Sequence, residues 1–205
     1  MTRDELIEDL AYARSVAEEG RQAPLIGGAF LVLFGVLLAV AWSVHWAIVS
    51  GAIDAPRSAL GLLWACFGVC AGIGAVFVSV SVRRKPGGAA IGNRADRAVW
   101  QAAAWAIASV VAGTILSMAV NDNPSAPDAI MPAAFGFYSI ALLTTASMSG
   151  QRWLNGFGVA ALASACTLWM LYGIGWTYLL GAAAALIVLV IPGIIMIRRE
   201  PKALS

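Results

Sequence analysis

The amino-acid sequence predicts an all-α fold: a polytopic transmembrane helical bundle of about six spans, N-in and C-in, with a short amphipathic cytoplasmic helix at the N-terminus. Three observations lead there. Of the 205 residues, 60% are hydrophobic and 12% charged, whereas a soluble domain carries about 25% charged residues. The charges gather in clusters separated by apolar stretches of about 20 residues, the length that crosses roughly 30 Å of hydrocarbon. Those stretches lack the strict alternation of barrel strands, and in lipid a backbone must pair its own amides, so they are helices.

The elements follow in order. In residues 1–23, Thr2 and Glu5 stand at capping-box spacing. Leu6, Leu10, Ala13 and Ala17 share one helical face, with Asp4, Glu8 and Glu19 opposite. This predicts a cytoplasmic helix ending near Gly20. Its negative charge disfavours anionic lipid, so its apolar face is expected to dock a cytoplasmic protein or to fold against its own bundle. An acidic, polar opening is the wrong order for a cleavable signal, and the N-terminus is expected to be retained.

The membrane domain covers residues 24–197. Its spans are expected at Leu25 to Ile48, Leu60 to Val82, Ala98 to Val120, Ala129 to Met148, Trp153 to Leu171, and Ile174 to Ile197. The last two are so close that they read as a tight hairpin, with a fused or re-entrant arrangement left open. Residues 198–205 form a cytoplasmic tail.

Orientation comes from Lys and Arg, which are retained on the cytoplasmic side. Twelve of the thirteen fall in the N-terminus, the second and fourth loops and the C-terminus, against Arg57 alone on the other side. Trp42, Trp46, Trp64, Trp169, Tyr172, Trp176 and Tyr178 gather near the expected outer ends, where aromatic belts form. The net charge of +2 is too small to suggest nucleic acid, which needs clustered Lys and Arg on one face. Cys66, Cys70 and Cys166 lie inside apolar stretches and do not read as a disulfide framework.

An ionisable group inside a bilayer is expensive and functional by default, and the expected spans hold none except His45. This weighs against intramembrane proton or ion pathways and against buried acid and base catalysis. His45 with Asp54, Asp122 and Asp128 matches no ligand signature, and an interfacial histidine is the expected role. Cys66 and Cys70, which share a helical face, suit a soft cation in principle. They also belong to Gly68-Val69-Cys70-Ala71-Gly72, a small-xxx-small pattern that lets helices approach closely. Packing explains them without a metal, and no cofactor is expected.

Gln101, Tyr138, Thr144 and Asn155 form a possible intramembrane polar cluster, with Thr145 and Ser147 as further inward-pointing groups that tie helices together. Pro192 in the last span frees the carbonyl of Val188 and opens a kink. Phosphate loops, zinc-protease motifs and nucleophile elbows are absent from the sequence.

Trp176-Thr177-Tyr178-Leu179-Leu180, the alanine-rich run after it, Pro192-Gly193 and Arg198-Arg199-Glu200-Pro201 resemble uncharacterised small polytopic inner-membrane proteins of proteobacteria. The resemblance implies six spans in a bacterial cytoplasmic membrane and transfers no functional residue.

The expected function is that of a non-enzymatic sensing, scaffolding or regulatory membrane component, with membrane lipids, a cytoplasmic protein and a second copy of the chain as possible partners. The alternative is a small permease or transporter subunit for a neutral or apolar solute, lined by Gln101, Tyr138, Thr144 and Asn155.

Overall fold

The computed structural model describes residues 6–12, 24–83, 85 and 90–200. Residues 6–12 are helical, with Leu6 and Leu10 exposed; Ala13 and Ala17 lie outside the described residues. Six long helices follow: α1 (Gly28–Val49), α2 (Ala59–Arg83), α3 (Ile91–Asn121), α4 (Ile130–Ser149), α5 (Leu154–Met170) and α6 (Thr177–Arg199). A 3-10 turn at Ala126–Ala129 leads into α4. By length and composition five of the six can cross a membrane, while α5, with 17 residues, is shorter.

Two starts differ from the sequence expectation. α3 begins at Ile91 and not at Ala98, because its first two turns are helical although polar. A six-residue turn spanning 171–176 separates α5 from α6, with Gly173 at φ 81°, so the two are distinct helices.

In lipid no hydrophobic force drives helices together, so close packing must do it. α4 is central, lying between α3 and α5, and Phe135, Ala141 and Leu142 on it are almost wholly buried. α1 packs along α6, and Trp42 of α1 stacks on Phe135 with ring centroids 5.8 Å apart. The α1–α6 crossing is set by two glycines. A Cβ on Gly28 would stand 2.6 Å from the Gly193 carbonyl oxygen, and one on Gly193 would stand 2.8 Å from the Gly28 carbonyl oxygen.

α6 does not run as a regular α-helix. It widens into a π turn over Leu186–Val190 immediately before Pro192. Proline has no N–H for the Val188 carbonyl, and a π turn is one way a helix absorbs that loss.

α2 is the least embedded helix. It buries only Ala71 and Val82, and no atom lies within 4 Å of a Cβ on Gly61, Gly68 or Gly72. Among the described residues the Gly68–Gly72 pattern therefore makes no close helix contact; the close approach on α2 is at Gly74, against Leu33. Cys66, Cys70 and Cys166 are all exposed free thiols.

Candidate functional site at the basic end of the bundle

The first turns of α3 project Asn93, Asp96, Trp100, Ala103 and Ile107 at three- and four-residue spacing, one face of a helix. Asn93, Asp96 and Ala103 on it are buried, whereas Arg94, Arg97 and Gln101 are exposed. The buried face meets the non-helical segment 24–27 that leads into α1, and the last turns of α4.

A segment about to enter a helix has backbone groups with no intrahelical partner. Here a side chain supplies them. Asn93 Oδ1 accepts a hydrogen bond from the Ile26 N–H at 3.0 Å, and Asn93 Nδ2 donates to the Pro24 carbonyl at 3.0 Å. One amide thus grips the chain at two points, as a paired strand would. Three residues along, Asp96 is 6% exposed. Its Oδ1 accepts from the Thr145 hydroxyl at 2.8 Å, and the Trp100 indole hydrogen-bonds the same carboxyl.

Asp96 Oδ2 lies 2.8 Å from where a Cβ on Gly27 would stand, with the Met196 methyl at 3.8 Å. A side chain at residue 27 would press on this carboxylate and force it to shift. Ser149 extends the cluster by donating to the Thr145 carbonyl at 2.6 Å. The interior is thus not free of ionisable groups. Asp96 falls outside a third span drawn from Ala98, yet it is buried on the same helix.

Around this cluster the basic end is fastened by two further contacts. Lys85 pairs with Glu200, whose side chain is 3% exposed and whose Oε1 has no hydrogen-bond partner among the described residues. The Arg199 guanidinium lies 5.1 Å from the centre of the Trp153 ring, a cation–π contact, and the Trp153 indole donates to Gln151 Oε1 at 2.9 Å.

The four polar residues singled out from sequence are placed apart. Tyr138 is buried beside Phe135 and Trp100, Thr144 is half-buried, and Gln101 and Asn155 are exposed on α3 and α5. They do not line one buried cavity. Thr145, next to Thr144, is the threonine that enters the buried network; Ser147 is exposed and bonds back to the Leu143 carbonyl.

At the opposite end His45 Nδ1 accepts from the Trp64 indole at 3.1 Å, and the imidazole stacks on Tyr178 with centroids 4.0 Å apart. The Tyr178 hydroxyl donates to Asp128. Among the described residues no three His, Cys, Asp or Glu side chains are grouped so as to hold one metal ion.

Chemically, the Asn93–Asp96–Thr145 cluster holds rather than reacts. Its donors and acceptors are spent on one another and on the backbone of 24–27. The missed residues, Asn93 and Asp96, carried a sequence signal: with Trp100, Ala103 and Ile107 they continue the inward stripe of α3 past the apolar boundary. Comparison with protein-family models, with curated proteins and with solved structures finds no match for this chain.

Proposed function

We propose that this chain is a non-enzymatic, multi-pass component of a bacterial cytoplasmic membrane, with six spans and both ends in the cytoplasm, that scaffolds or regulates by presenting its N-terminal helix to a cytoplasmic protein. The observation that carries this reading is the exposure of Leu6, Ile7 and Leu10, at 44%, 56% and 66%, on a helical segment at 6–12. Acidic Glu8 and Asp9 flank these apolar groups. An apolar strip with an acidic border fits a protein groove with basic edges better than it fits anionic lipid.

The grip on Pro24 and Ile26 supports the same reading. It fixes where the N-terminal segment enters the bundle, so that force or order imposed on the helix reaches α1, α3 and α4. Six spans are consistent with α5, since 17 residues rise roughly 26 Å, at the short limit of a crossing. Twelve of thirteen basic residues on one side support N-in and C-in.

The test is deletion of residues 2–20 followed by crosslinking in intact cells. Loss of specific cytoplasmic partners is expected, with the membrane domain still inserted. An unchanged set of crosslinked partners would refute the reading.

A further inference from the structure

At the end of the bundle away from the basic residues, α2 is tied to its neighbours by a single side-chain hydrogen bond among the described residues. α2 buries little and packs chiefly on α1. Leu33 covers Gly74 along that contact, and at the far end the Trp64 indole donates to His45 Nδ1 at 3.1 Å. An imidazole nitrogen that accepts a hydrogen bond carries no proton, so His45 is neutral here with its hydrogen on Nε2.

We infer that the Trp64–His45 contact is a proton-operated latch on α2. One proton taken from solvent by His45 occupies Nδ1 and leaves an imidazolium with donors on both nitrogens. The Trp64 indole, itself donor-only, then faces a donor, and the bond is lost. Asp128, in the turn before α4, supplies the negative charge on this side, where it accepts the Tyr178 hydrogen bond. Tyr178, from α6, has its hydroxyl engaged on Asp128, so its ring supports His45 while the hydroxyl offers Nδ1 no alternative. Asp54 and Arg57 on the α1–α2 connection are exposed to solvent, and Trp64 is the neutral group facing His45 from α2. His45 is half-buried, which leaves protons a route to it.

Release loosens one end of α2, leaving, among the described residues, only the partly buried Trp64 and Phe67 rings against the core there, while Val82 and the Lys85–Glu200 pair hold the other. The helix then pivots about its basic end, from which the chain continues through residues 84–90 into the turn of α3 that carries Asn93 and Asp96. This latch does not depend on which partner the N-terminal helix meets.

The test places spin labels at Leu62 and Ile115, exposed positions on α2 and α3, in full-length protein with Cys66, Cys70 and Cys166 changed to serine. Distance distributions are recorded in lipid nanodiscs at pH 8 and pH 5, values that bracket the histidine range. A single distribution is expected at pH 8, joined reversibly by a second population at pH 5. His45→Gln, whose side-chain oxygen accepts a hydrogen bond at either pH, is expected to show the pH 8 distribution throughout; His45→Asn provides an independent reading of the same point. Trp64→Phe is expected to show the second population at both pH values. Identical wild-type distributions at the two pH values would overturn the latch, and so would a wild-type pH response in both histidine variants.

Discussion

Replacing Asn93 with leucine isolates the grip on the N-terminal segment. Leucine has the same branched shape and number of heavy atoms but neither donor nor acceptor, so both hydrogen bonds to the 24–27 segment, each 3.0 Å long, vanish together. The two stranded groups are not equivalent. Ile26 is 3% exposed, and an unpaired buried N–H costs about 1–3 kcal/mol. Pro24 is exposed, so water reaches its carbonyl and only the net worth of one bond is lost, about 0.5–1.5 kcal/mol. The sum, about 1.5–4.5 kcal/mol, corresponds to a roughly 10- to 1,600-fold drop in the folded-to-unfolded ratio. Reversible unfolding in mixed SDS micelles measures it. Maleimide labelling of a cysteine at position 26 should rise in parallel, because the grip that shields this segment has gone. A stability change under about 0.5 kcal/mol, with labelling unaltered, would refute the reasoning.

Two further perturbations probe the packing and the basic end. Gly28→Ala places a methyl 2.6 Å from the Gly193 carbonyl oxygen and 2.8 Å from Met196 Cβ, so α1 and α6 must part by roughly 0.8 Å at a cost of about 1–3 kcal/mol; Gly68→Ala, which meets open space, should stay within about 0.5 kcal/mol of wild type in the same assay. Lys85→Met strands the buried Glu200 carboxylate and should cost about 3 kcal/mol, whereas the double variant Lys85→Met/Glu200→Met should recover most of that loss. Equal losses in the single and double variants would show that the pair does not act as one unit.

The bundle was largely legible in the sequence because an apolar run long enough to cross a bilayer leaves few alternatives to a helix. Spans one, two and four agree with α1, α2 and α4 to within a few residues. The start of α3 was not legible from hydropathy. Asn93, Arg94, Asp96 and Arg97 read as a polar loop, yet their helical spacing sends two of them inward and two outward. Hydropathy averages over a window and loses that division between faces. The site was hidden for the same reason: its core is Asn93 and Asp96, polar residues just beyond the apolar boundary, meeting backbone groups of a segment more than 60 residues earlier.

Small residues show the complementary limit. Gly28 and Gly68 are alike in sequence context, both set in apolar helices rich in small residues. Gly28 meets Gly193 backbone, whereas Gly68 meets nothing among the described residues. Which face of a helix finds a neighbour depends on the arrangement of the whole bundle, and local spacing does not encode it. The break in α6 was partly legible, since Pro192 marks it, but the π turn over Leu186–Val190 was not, nor was its close approach to α1 at Gly35, where an added Cβ would stand 2.7 Å from Val190 Cγ2.

Presentation of the N-terminal helix to the cytoplasm rests on six crossings with both ends on one side, and substituted-cysteine labelling tests this most directly. In protein with its native cysteines changed to serine, single cysteines replace Leu10, Ile53, Ile174 and Arg199, all exposed, and a membrane-impermeant maleimide is applied to intact spheroplasts. Positions 53 and 174 should label at once, and positions 10 and 199 only after permeabilisation. Labelling of position 10 in intact spheroplasts, or protection of position 174 alongside it, would contradict the arrangement.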